Sequence, residues 1–430
     1  MNSRRSVAII LTVTVMSALA LSGCAPTTGG DGGGDGDVTL SVWSWRTEDA
    51  AGFETIFDVY EESHPGVTVE FKPFKSTEYD LILSTGLAGT DGPDVPMLHA
   101  GPGGLAPLVA ADRLLPLDPD IVTSLNDFDP AILSTGGQVP DDDNIYGLPI
   151  ALQTLQMFYN KQIFADNGIE VPTTYDEFLE ANETLAAAGI TPMSTTGKDN
   201  WMLGIALGVV AGGYWAAGSY FDGLADGSAT LADGPFAESV QKMQDVVPYF
   251  PANFTGVNYT ESQILFTSGQ AAMYPGGSFE LGFFQLTAPD LDLGVFSVPA
   301  PDDADGGAVV PSWVDADFGV SKASPNQDAA LKLVNWMGTA EFAQLYVDEL
   351  KQISPVKGVE PSDPVLKEII AAYQANPGSY IPVGLFAGGD PDTSVTLATS
   401  LQNMFAGTGD PTSVAQDYAD AVAKAFPDGR

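Results

Sequence analysis

The chain has 430 residues, with 56 acidic side chains against 16 basic ones and a formal net charge of −40 at pH 7. So negative a surface repels nucleic acid, anionic headgroups and polyanionic ligands, and it keeps a protein dissolved outside a cell. One cysteine, Cys24, and two histidines in separate segments, His64 and His99, argue against a zinc site, so neither metal nor cofactor is expected, while the length exceeds one ordinary core and points to two lobes.

Arg4 and Arg5 precede an apolar stretch from Val7 to Leu21. It is too short for a spanning helix with ordinary flanks and has the charged and apolar regions of a signal peptide over residues 1–23. Leu21-Ser22-Gly23-Cys24 resembles the bacterial lipobox, in which cleavage precedes a cysteine joined to diacylglycerol. Cys24 has no intrachain partner, so it reads as a lipid anchor at the extracytoplasmic face of the cell membrane. A plain secretory signal with an incidental thiol is the alternative. Residues 24–37, rich in glycine and aspartate, hold nothing that builds a core and read as a flexible tether.

Val38 to Val42 alternates as a strand and runs into Trp43-Ser44-Trp45. Thr47 is the expected N-cap of a helix with Phe53, Ile56, Phe57 and Tyr60 on one face. His64-Pro65-Gly66 breaks it, and Val67, Val69 and Phe71 alternate again. Tyr79, Ile82 and Leu83 mark a second helix, and Asp94 to Leu98 a short buried strand. This grammar predicts an α/β fold with a mostly parallel sheet covered on both faces. Downstream, Thr174 to Glu177 spells a capping box, Ser324 to Gln327 a second helix start, and Asp410-Pro411 the start of the last helix. After the signal, Trp201 to Ala217 comes nearest to a membrane span but is broken by glycines.

Several stretches, in order, resemble the bacterial extracellular solute-binding proteins of family 1, the maltodextrin-binding type that serves sugar ABC transporters. They are LILSTGLAGTDGPDVPML from Leu81, ADRLLPLD from Ala111, NIYGLPI from Asn144, Phe158 to Lys161 with Phe164, FTSGQAAMYPGGSF from Phe266, and Phe318 to Ser324. One departure is Phe279, where the family usually has tryptophan; an aromatic wall remains without an indole N–H. The resemblance implies a type II periplasmic-binding-protein fold, two α/β lobes joined by a hinge with a ligand cleft between them. By analogy residues 38–146 plus 300–348 form one lobe and 147–299 plus 349–430 the other. It further implies a monomer that binds a mono- or oligosaccharide without catalysis and hands it to the permease subunits of an ABC importer.

A neutral sugar needs aromatic platforms for its C–H face and hydrogen-bonding groups for its hydroxyls, on loops after strand carboxyl ends. Of Trp43 and Trp45, one is expected to touch ligand and the other to pack, with Glu48 just behind them. His99 follows the Asp94 to Leu98 segment, as a ligand contact or a core or turn histidine. Trp201 is a candidate platform or a buried helix start. Phe279 and Glu280 follow a double glycine, as site residues or a helix start, and Trp313 with Asp315 is the leading aromatic and acid pair. The competing readings are a membrane-anchored glycosidase, whose two carboxylates sequence cannot locate, and the same fold serving a non-sugar solute.

Overall fold

Leu40, Val42 and Ser44 of β1 (Val38–Ser44) are buried, as alternation demands, and the strand leads into the helix Ala50–Ser63, which buries Phe53, Ile56, Phe57 and Tyr60. In this computed structural model the described residues are 37–140, 142–232 and 234–427. The signal peptide, Cys24 and the tether up to Gly36 lie outside them. The remaining strands are β2 (Val67–Pro73), β3 (Val95–His99), β4 (Leu148–Asn160), β5 (Thr191–Met193), β6 (Ala271–Gly277), β7 (Leu293–Phe296), β8 (Val310–Phe318) and β9 (Pro377–Ser379).

Two expected helix starts are displaced. The first helix has Asp49, not Thr47, at its N-cap position, and the Asp49 carboxylate accepts from Arg46 instead of capping the first turn. The helix expected from Ser324 begins at Gln327, because the Ser324 hydroxyl donates to Asp94 Oδ1 at 2.5 Å and accepts from the Asn326 N–H at 2.9 Å. Thr174 and Asp410 do cap their helices, Tyr175–Ala187 and Pro411–Ala425. Trp201–Ala211 is a core helix, buried throughout except at half-buried Trp201. Among the described residues no single helix is long and apolar enough to cross a membrane.

The strands run in the order β2-β1-β3-β8-β4-β6-β5, with β7 also on β4 and β9 on β8. The expected parallel pairing is found between β1 and β2, β1 and β3, β5 and β6, and β8 and β9. The middle is antiparallel instead, β4 pairing with β6, β7 and β8, and β8 with β3. The reason is that β4 and β8 are long strands that cross the molecule in opposite directions.

They cross between two hydrophobic cores. Leu148, Ile150 and Ala151 of β4 belong to the core built around β1 and β3, while Leu155, Met157 and Phe158 belong to the core around β6 and the helix Trp201–Ala211. In β8, Trp313 sits in the second core and Ala316 and Phe318 in the first. The chain crosses once more from Leu350 to Ile353, and the Leu152 N–H donates to the Ile353 carbonyl at 2.9 Å. Lys351 takes the left-handed conformation there, φ 56°, which lets the chain turn out of the helix Ala340–Leu350. Each fully buried Leu or Phe contributes roughly 1.5–3 kcal/mol, so both cores add strongly to stability, and among the described residues the chain passes between them at these three crossings.

Candidate functional site

The loop after β1 carries Trp45, Arg46 and Glu48 toward the crossing strands. Trp45 is buried against the first core and stacks on the His99 ring, centroids 4.0 Å apart and planes at 25°. Tyr79 lies on the same indole at 5.5 Å. His99, at the carboxyl end of β3, stays partly exposed with Nε2 3.5 Å from Asp80 Oδ1. Trp43 takes another direction: its ring lies against Phe74 at 4.9 Å, and its Nε1 donates to Ser41 Oγ at 3.0 Å. A Cβ on Gly86 would fall 2.6 Å from that indole, so the helix Ser76–Ala88 sits directly on it.

Arg46 is 2% exposed. Burial works against its charge, but Asp49, Glu48 and Asp315 more than offset this and hold the guanidinium protonated. Its Nε lies 2.5 Å from Asp49 Oδ2 and Nη1 3.5 Å from Asp315 Oδ2. Asp315 in turn accepts from Trp313 Nε1 at 2.9 Å. A charged pair buried in this way needs its remaining hydrogen bonds filled, and the indole fills one of them.

Trp313 begins a run of rings on the second core. Tyr380 lies 5.1 Å from it and Phe279 6.5 Å; Trp201 is 6.1 Å from Phe279 and 5.1 Å from Tyr259. Phe279 and Glu280 follow β6, whose Gly276 and Gly277 leave room for them: a Cβ on Gly277 would meet the Phe279 ring at 2.1 Å. Glu280 has no exposed surface, and its Oε2 accepts from Gln263 Nε2 at 2.7 Å. Burial pushes its carboxyl up to about 8, against the help of Gln263, Tyr259 and Tyr274, and the charge of Glu48 adds to the rise. Glu48, from the first core's loop, therefore lies within electrostatic reach of Glu280 in the second.

Among the sequence-selected residues the structure thus gathers Trp45 with His99, Trp313 with Asp315, and Trp201 with Phe279, with Glu48 acting on Glu280; Trp43 lies apart under its helix. Arg46, Tyr259 and Tyr380 were not selected. Arg46 has a readable signal, a cation directly after Trp45 at a strand end. Tyr380 has none, since the three-residue β9 that delivers it exists only by pairing with β8.

Residues 43–344 match the family described as bacterial extracellular solute-binding protein. The chain belongs to that family. A multiple sugar-binding protein of Streptococcus mutans serotype c is 24% identical over 224 residues, 51% of this chain and 53% of that protein. This chain thus spans about half the length of that relative. A galactooligosaccharide-binding protein of Bacillus subtilis is 25% identical over 345 residues, 77% of this chain and 76% of that protein. Among solved structures a chitin oligosaccharide binding protein superposes with a TM-score of 0.76 at 24% identity, covering 92% of this chain and 100% of that one. The fold of this family member is the type II periplasmic-binding-protein fold, α/β with two lobes, and its curated relatives bear the names of binding proteins.

Proposed function

We propose that the protein is the solute receptor of a sugar ABC importer, holding a mono- or oligosaccharide between its two cores and releasing it to the permease subunits. The observation that carries this reading is the pairing of surfaces. A ladder of rings on the second core, Trp201–Phe279–Trp313–Tyr380, meets Arg46 of the first through Asp315, while Glu48 and His99 stand on the loop after β1 and the end of β3 beside Arg46 and Trp45. Rings take the C–H face of a sugar and the polar edge takes its hydroxyls. The names borne by the relatives agree.

In this reading the molecule divides along its two cores and bends where β4, β8 and the segment Leu350–Ile353 cross, with ligand favouring the closed form because only then do both sides touch it. The lipobox Cys24 anchors the mature chain and the tether holds its body off the membrane as a monomer. In this reading the sugar is handed on uncleaved, with Arg46 holding Asp49 and Asp315 and Glu280 shut away from solvent.

The test is intrinsic tryptophan fluorescence titrated with a panel of neutral mono- and oligosaccharides, each mixture assayed for hydrolysis. A saturable change with one sugar class and no product is the expected result. Product formation would establish a glycosidase, and silence across the panel would turn the search to non-sugar solutes.

A further inference from the structure

A chain of buried polar groups runs through the place where the cores join, behind the ring ladder. Gln153 of β4, directly opposite Trp313 in the β4–β8 ladder, has no exposed surface. Its Nε2 donates to Gln352 Oε1 at 3.0 Å, and its Oε1 accepts from Ser278 Oγ at 2.6 Å. The Ser278 hydroxyl also accepts from the Thr154 N–H at 3.1 Å. Gln352 is fully buried as well, with Nε2 3.5 Å from the carbonyl of Phe279. Each member stands at a mechanical position. Gln153 lies in the first crossing, between half-buried Leu152 and fully buried Leu155. Gln352 lies in the last crossing, one residue from the bridge between Leu152 and Ile353. Ser278 immediately precedes Phe279.

Apolar side chains would fill this space without the cost of burying two carboxamides and a hydroxyl. The polar set differs from apolar filling in being directional: twisting one crossing against the other rotates the amides, and each bond must then hold or break. Where a fully satisfied network ties two moving strands to the base of a ligand-facing loop, it has discrete arrangements, which is what coupling between a hinge and a site requires.

We propose that Gln153, Ser278 and Gln352 are positioning residues that couple the bend between the cores to the placement of Phe279, and so set the balance between open and closed forms before any ligand arrives. This rests on the receptor reading above. None of the three side chains needs to touch sugar; they act through Phe279 and Trp313.

The experiment uses the full-length chain with Cys24→Ser and spin labels at two exposed positions, Leu81→Cys beside the first core and Val395→Cys beside the second. Pulsed electron-spin measurements give the distance distribution without ligand and with raffinose, chitotriose or maltotriose as probes. Gln352→Met is expected to shift or broaden the ligand-free distribution and to weaken binding of whichever probe binds by about tenfold, the usual size of coupling between linked sites. Ser278→Ala, which removes only an oxygen, is expected to move the distribution in the same sense and covers the case in which Gln352→Met fails to fold. Trp313→Phe is expected to lower affinity while leaving the ligand-free distribution in place. Ligand-free distributions of the folded variants that superpose on the parent would overturn the proposal and make the network ordinary core. If no probe binds the parent, the receptor reading fails on these sugars, and the ligand-free distributions still decide the coupling.

Discussion

Glu280 shows how much one side chain of the candidate site reports. It is fully buried, hydrogen-bonded to Gln263, and pushed up to about 8 from an ordinary 4.5, chiefly by burial. The native state therefore holds a proton that the unfolded chain has released between pH 4.5 and 8. Where the native state binds more protons, stability falls as pH rises, at a limiting slope of about 1.4 kcal/mol per pH unit for one proton. Urea unfolding at steps from pH 5 to pH 8 should show that decline, and Glu280→Gln should flatten it. Asp317, buried without a hydrogen bond to either oxygen and also raised by burial, and Asp49, raised by burial against the pull of Arg46, contribute to the slope that remains. An unchanged slope in Glu280→Gln would mean that Glu280 is ionised in the folded protein. Trp313 makes a second test at this scale. Its truncation to alanine should weaken sugar binding about 30-fold or more, as loss of a central aromatic anchor does. Because Trp313 is only 8% exposed, that variant also loses stability. Trp313→Phe keeps the bulk, loses the N–H to Asp315, and should retain most of the melting temperature while binding less tightly. Affinity unchanged from the parent in both variants would remove Trp313 from the site.

Between residue and molecule, the helix Ser76–Ala88 depends on one glycine. Gly86→Ala places a methyl group inside the Trp43 ring and should cost about 1–3 kcal/mol of stability, the range for overpacking. Sugar affinity should be unaffected if Trp43 is scaffold; a large loss of affinity in a folded Gly86→Ala protein would place Trp43 in the site. Elements of this kind were legible where their signals are local. Alternation gave β1 and β2, and the side chains of Thr174 and Asp410 announced their helices because each bonds to its own first turn. Ser324 misled because its hydroxyl is taken by Asp94, 230 residues away in sequence. The antiparallel middle of the sheet was hidden for the same reason, since nothing in Leu148–Asn160 states that one half pairs with β8 and the other with β6 and β7. The candidate site divides in the same way. Aromatics and acids after strand ends could be named from sequence. The separate direction of Trp43, the Arg46 link to Asp315 and the arrival of Tyr380 are products of tertiary packing.

At the scale of the whole molecule, a net charge of −40 spreads self-repulsion over both lobes. Screening it should stabilise the fold, so the melting temperature should rise as sodium chloride increases from 10 to 300 mM, roughly as the Debye length shrinks below 10 Å. A flat response would mean that the charges are spaced too widely to matter. The same field opposes anionic ligands, and Glu48 and Asp315 stand at the candidate site. A uronic acid should therefore bind more weakly than the neutral sugar of the same ring, with the gap narrowing in salt. The proposed receptor works only if sugar draws two lobes together around the ring ladder. Small-angle X-ray scattering with and without a saturating sugar tests this most directly. The radius of gyration is expected to fall on binding and to return when sugar is dialysed away. Saturable binding with an unchanged radius would contradict it, because sugar would then be held by one lobe alone.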